Sequence, residues 1–282
     1  MNGLSKTTLI LGIAAIGLSA CSGADTPDVM KDAKDAATKT VAAASGDLCT
    51  TMGPQTPRDI SSKVGLNTTM FDMAPPSRRM NLCNIHSHTN AEHKGPGFNV
   101  FVNNTDSGGY ACNGTADLTA AEKAPYADND YEGANPGDTI EVHWVHTTCD
   151  TEPGESLAPC VSCDDPTLRV ETQVFLVVND RNAANFMDYA YQGNMVNGRH
   201  QPKSLPRGTG KPVQFLGSTT GPSYTQSVCS PAQVTWSVRP QCQKVDVASL
   251  DAWAESGNVF NETKSHGVRQ LVTAPELLSE IK

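Results

Sequence analysis

The sequence predicts a mainly β single domain with a few short helices, on three observations. Turn residues crowd the chain from Gly53 onward in Gly, Pro, Asn and Asp clusters. Between the clusters lie short runs rich in Val, Ile, Phe, Trp and Thr, side chains that suit a pleated, half-buried surface. Long helical periodicity is nearly absent.

Taken in order, the first expected strand is Asn84–His88, where two histidines stand two residues apart. Asn99–Asn103 follows, a β-branched and aromatic core bracketed by asparagines. Thr139–Thr147 alternates over its whole length, and Arg169–Asn179 carries a long apolar run. Val213–Leu216 and Gln233–Val238 complete the set. Short helices are expected at Thr119–Ala124, Asn182–Tyr191 and Ala248–Ser256, the last opened by a Ser249/Asp251 capping region.

The N-terminus reads as targeting rather than fold. Lys6 gives a positive start, and Thr7–Leu18 is apolar but too short for a mature span. Leu18-Ser19-Ala20-Cys21 then resembles a bacterial lipobox, with cleavage before Cys21 and a lipid on its thiol. Residues 1–20 are thus expected to be a signal peptide. Residues 21–47 would be the lipidated cysteine and a flexible tether, being small, charged and poor in large apolar groups. The domain proper is expected at 48–282, in a lipoprotein of the bacterial cell envelope, facing the periplasm or the surface. A formal charge of -9 argues against nucleic acid, and against any membrane partner beyond the anchor.

Of nine cysteines, all but Cys21 lie in the domain region: Cys49, Cys83, Cys112, Cys149, Cys160, Cys163, Cys229 and Cys242. An even number in an exported chain suggests up to four disulfides, with no pairing legible. A thiolate zinc site around Cys160-Val-Ser-Cys163 is the competing reading, weakened because no second close pair accompanies it.

Strand parity sorts the histidines. In Ile85-His86-Ser87-His88 the two imidazoles point to one face. In Glu141-Val142-His143-Trp144-Val145-His146, one face holds Glu141, His143 and Val145, and the other holds Val142, Trp144 and His146. If the two strands are neighbours, His86, His88 and His143 converge. Three neutral nitrogens with one open position are how a catalytic zinc is held. His146 is expected to be a core histidine, His93 an interior buttress, and His200 and His266 exposed in loops.

Around these residues the sequence resembles carbonic anhydrases. Glu-Val-His-Trp-Val-His is similar to the strand supplying the third zinc ligand in the α class, and Ile-His-Ser-His to its His-x-His strand. Ala91-Glu92-His93 resembles the Ser-Glu-His that follows, and Gly217-Ser218-Thr219-Thr220-Gly221-Pro222 resembles the family's threonine loop. Val234-Thr235-Trp236 matches the next strand, Gln55-Thr56-Pro57 an early segment, and Val245–Leu250 the strand entering a late helix. The strings Cys83-Asn84-Ile85-His86 and Asn90-Ala91-Glu92-His93-Lys94-Gly95 look most like the δ class. The chain is identified as a δ-class, α-like carbonic anhydrase in a bacterial lipoprotein form.

That resemblance implies a large, twisted, mostly antiparallel central sheet, as in the α-carbonic-anhydrase fold. It implies Zn2+ held by His86, His88 and His143, and reversible hydration of CO2 to bicarbonate and a proton by metal-bound hydroxide. Glu141 would orient His143. Thr219 would orient the hydroxide through buried Glu92, and Thr220 would line the pocket. Val145 and Trp236 would wall the CO2 site, and Arg269 would be a structural arginine. The threonine loop is one residue short of the α pattern, so Ser218 competes for the role of Thr219. No histidine lies between Gly53 and Asn84, where a proton shuttle is expected, leaving His200 or buffer. The alternatives are an inactive carbonic-anhydrase-like binding module and a periplasmic zinc-binding lipoprotein.

Overall fold

The structure, a computed structural model, describes residues 48–49, 52–103, 108–127, 129–221, 223–268 and 272–282. The signal peptide, Cys21, the tether and Arg269 therefore lie outside the described residues. The strands are β1 (Asn81–Thr89), β2 (Val100–Val102), β3 (Gly109–Ala111), β4 (Thr139–Thr147), β5 (Leu168–Val178) and β6 (Met195–Val196). They continue as β7 (Arg199–His200), β8 (Val213–Ser218), β9 (Gln233–Val238), β10 (Gln243–Asp246) and β11 (His266–Gly267). Among the described residues there is one α-helix, α1 (Val247–Glu255), which follows β10 directly. Among the described residues no helix is long and apolar enough to cross a membrane.

Seven strands form the central sheet in the order β11-β1-β4-β5-β9-β8, with β10 also on β5. The pairings β1–β4, β4–β5 and β8–β9 are antiparallel, whereas β1–β11, β5–β9 and β5–β10 are parallel. The sheet is therefore mixed, although its longest ladders are antiparallel. The parallel share comes from β11 at one edge and from β9 and β10, which run one after the other along the same edge of β5.

Each expected strand is present, two of them with the expected ends. The helices differ. Thr119–Ala124 closes as a single turn, with Thr119 and Glu122 bonding each other's backbone N–H groups. That reciprocal cap stabilises one turn, but no apolar face extends it. Within Asn182–Tyr191 only Phe186–Asp188 winds, as a 3-10 turn. The last helix starts one residue early, with Asp246 as N-cap and no side-chain cap bond. Ser249 and Asp251 are thus inside it. Ser249 instead donates back to the Asp246 carbonyl (2.6 Å) and accepts from the backbone N–H of Phe186 (2.8 Å).

Every residue of β4 and β5 is buried, because both faces of the sheet are covered. One apolar cluster joins Ile85, Val142, Trp144 and Phe175 to Leu250 and Trp253 of α1. The other joins Val145, Val170, Val174, Trp236 and Val238 on the opposite face. A bulge in β1 decides which face the histidines take. The register against β4 shifts between Leu82 and Asn84, making Cys83 the extra residue. Leu82 can then sit in the first cluster opposite His146, while Asn84, His86 and His88 turn to the other face.

The eight domain cysteines pair as Cys49–Cys229, Cys83–Cys160, Cys112–Cys242 and Cys149–Cys163. Cys160 and Cys163 go to different partners, so the thiolate zinc reading fails. Reduction of the bridges should lower the denaturant midpoint, by about 2–5 kcal/mol for each bridge lost. Equal urea midpoints with and without reductant would count against that contribution.

Candidate metal centre

On β1 and β4, His86 lies directly across from His143, and His88 lies across from Glu141. The ring centroids of His86, His88 and His143 are 4.9–5.1 Å apart, and one nitrogen from each falls within 4.8 Å of the others. His143 Nδ1 is 3.3 Å from His86 Nε2. Two nitrogens on one tetrahedral zinc, each bonded at about 2.0–2.1 Å, lie about 3.3 Å apart, so this pair has the spacing of a ligand edge.

The other ring nitrogens face acceptors. His86 Nδ1 is 2.6 Å from Asn84 Oδ1, its neighbour two residues back on the same strand face. His88 Nδ1 is 3.2 Å from Glu92 Oε1 and 3.5 Å from the Gly267 carbonyl, while its buried Nε2 has no partner among the described residues. His143 Nε2 lies 3.7 Å from Glu141 Oε1, beyond hydrogen-bond range. Acceptors at the outer nitrogens leave the inner lone pairs available to a cation. A buried nitrogen without a partner, in a set of three imidazoles, fits a metal with an open coordination position.

Glu141 is fully buried and anchors this arrangement. Its Oε1 accepts from His93 Nδ1 at 2.7 Å, and its Oε2 accepts the backbone N–H groups of Glu92 and His93. Burial works to raise its carboxyl, but the charge of His93 and the contacts from His143 and His93 outweigh that and hold it well below the usual carboxylate range. Asn90, in the left-handed region at φ 66°, turns the chain after β1 so that Glu92 and His93 reach this spot.

The three histidines open into a cavity of about 690 Å³. Val145 and Trp236 line it, with Val170 and Val234 extending the apolar side. Thr219 and Thr220 also line it. Gly217 before them is closely packed, since a Cβ there would meet Trp236 Cδ1 at 3.0 Å and Thr56 Oγ1 at 3.1 Å.

The Thr219–Glu92 pair implied by the resemblance is not formed. Thr219 leaves the end of β8 with its hydroxyl 2.6 Å from Ser230 Oγ, while Glu92 sits under His88. Ser218, the competitor, is buried with its hydroxyl on Gln55 Oε1. His200 lies outside the cavity lining, half-buried against Tyr191 and Glu152. His266 is no loop residue. It sits on β11 beside His88, lines the cavity, and has Nε2 3.1 Å from Glu262 Oε2. Nothing in its local sequence signals this, because a two-residue strand has no readable period. Asn84 was more accessible, since parity alone puts it beside His86.

The delta carbonic anhydrase family model matches residues 77–249. The chain belongs to the delta carbonic anhydrase family. Among solved structures, an α-carbonic anhydrase of Photobacterium profundum aligns at 19% identity over 84% of this chain and 92% of that one, with a TM-score of 0.27. A Thermovibrio ammonificans α-carbonic anhydrase, in complex with the inhibitor sulfanilamide, aligns at 17% identity over 77% and 83%, also with a TM-score of 0.27. No curated protein matches the chain. Every histidine discussed so far except His266 lies inside the span matched by the delta carbonic anhydrase model.

Burial pushes His88 down to about 4 against the opposing pull of Glu92, and does the same to His146 against its bond to the Trp144 carbonyl. Between about pH 6.5 and pH 4 the unfolded chain then binds protons that the metal-free native state does not. Stability rises with pH across that window and is lost as pH falls through it. Each of the two contributes on the order of 3 kcal/mol. Urea denaturation of metal-free protein at pH 7 and pH 4.5 checks this, and equal midpoints would contradict it.

Proposed function

We propose that this carbonic anhydrase family member hydrates CO2 reversibly to bicarbonate and a proton, with zinc bound by His86, His88 and His143. The observation that carries the proposal is three imidazole nitrogens converging at an open cavity that is apolar on one side. A zinc ion there would act as a Lewis acid and bring the ionisation of water into the neutral range.

The chain's own residues do the rest. Asn84 and Glu92 hold two rings by their outer nitrogens, so that the inner ones stay aimed. Val145, Val170 and Trp236 offer CO2, which has no net dipole, a surface that water does not compete for. Thr219 is the cavity hydroxyl assigned to orient the attacking water, with Ser230 in place of Glu92 as its support. Anchorage in the cell envelope through Cys21 belongs to the same proposal and rests on the Leu-Ser-Ala-Cys string.

The test is stopped-flow CO2 hydration with a pH indicator, on protein as purified, after chelation, and after zinc is restored. Hydration should vanish with chelation and return with zinc, and Thr219→Ala should slow it while zinc stays bound. Firmly bound zinc without hydration would leave the family's fold serving as a binding module.

A further inference from the structure

On the face of the sheet away from the histidines, β5 carries Arg169 and Glu171, opposite His146 and Trp144 of β4. Arg169 and Arg239 are only 5% and 6% exposed, yet both lean on the one carboxylate of Glu171, at 3.7 and 3.4 Å. Arg169 donates its remaining contacts to the carbonyls of Pro75 and Ala74. Arg239 donates to the carbonyls of Pro206 and Thr172, and also walls a separate cavity of about 310 Å³. Two buried cations thus share a single anion, and an uncompensated guanidinium charge borders a cavity.

The rest of the lining adds to that charge. Arg78 and Arg207 border the same cavity, as do Ser77, Gln201 and Ser204. Among the described residues, neither the Arg78 nor the Arg207 side chain makes an ion pair or hydrogen bond. Asp188, whose backbone carbonyl accepts from Ser204 Oγ, has its carboxylate engaged by Lys203 at 2.6 Å. Three guanidiniums therefore face one cavity in a chain of net charge -9. Guanidinium forks match the oxygens of a phosphate, and a dianion answers more than one of them at once. The cavity also exceeds the size of the bare ion.

We propose that this cavity binds a phosphate group, either as the free ion or as the monoester of a small molecule. The test is calorimetric titration of the purified full chain with inorganic phosphate and, separately, with glycerol phosphate, at ionic strength fixed by chloride. The comparison is the Arg78→Gln/Arg207→Gln double variant. Both positions are exposed, so folding should persist, and circular dichroism melting checks that. Saturable binding of at least one probe is expected, weakened about a hundredfold in the double variant. The tighter probe tells the free ion from the monoester. An unchanged affinity in the double variant would assign the binding elsewhere, including the histidine cavity on the other face, and overturn the proposal. So would an absence of saturable binding by both probes. The readout is binding rather than turnover, so neither outcome depends on CO2 hydration.

Discussion

Replacing His143 with alanine is expected to leave a folded protein that no longer retains zinc through dialysis. His143 supplies the nitrogen 3.3 Å from His86 Nε2, and without it two imidazoles on one strand must hold the ion alone. Removing an outer partner of a ligand already costs about 10–100-fold in affinity, and removing the ligand itself must cost more. His146→Ala is the matched control, three residues along the same strand. His146 packs on the opposite face across from Leu82, wholly buried, with Nδ1 3.1 Å from the Trp144 carbonyl. Its loss should cost about 2–4 kcal/mol of stability through the cavity left behind, with zinc content unchanged. Elemental analysis of the dialysed proteins separates the two. Metal loss in the His146 variant alone would reverse the assignment of strand faces.

The second large effect falls on Glu141→Ala. The carboxylate accepts from the His93 ring and from two backbone N–H groups, in a spot with no access to water. Truncation leaves those donors unanswered and removes the charge beside His143. A stability loss of about 3–5 kcal/mol is expected from breaking a buried charged network. Zinc affinity should fall about 10–100-fold, because Glu92, which holds the His88 ring, loses the acceptor of its backbone N–H. Glu141→Gln keeps the shape and part of the hydrogen bonding, so it should melt between the two while still binding zinc weakly. Chelator competition and urea denaturation measure the pair. A Glu141→Ala protein as stable as its parent would show that the carboxylate is not the anchor described.

Parity explains why the site was legible before the fold. His86, His88, Glu141, His143 and Val145 lie on two strands whose alternation can be read residue by residue, and their convergence needed only that the strands be neighbours. Trp236 followed from its resemblance to a known string. What stayed hidden depends on contacts distant in sequence. His266 and Glu262 enter the cavity from a strand two residues long, and Ser230 meets Thr219 across a segment without a regular period. The disulfide partners stand 14 to 180 residues apart, with nothing local to pair them. Helices do not extend where apolar spacing lasts a single turn. Only the stretch after Asp246 could bury a full face, through Val247, Leu250 and Trp253.

The bulge at Cys83 makes the register of β1 and the identity of the site a single choice. Leu82 must face one core while His86 and His88 face the other, and one surplus residue reconciles them. Loss of the Cys83 codon itself would leave both faces as they are, since Leu82 and Asn84 would then alternate normally, and would cost the bridge to Cys160. Were the surplus residue instead drawn into regular pairing with Leu82 held in place, both ligands would swing together into the hydrocarbon beside Trp144, and Ile85 would be turned toward the open cavity. The site is therefore robust to drift in the side chains around it, yet brittle to a one-residue insertion or deletion between the bulge and the first histidine.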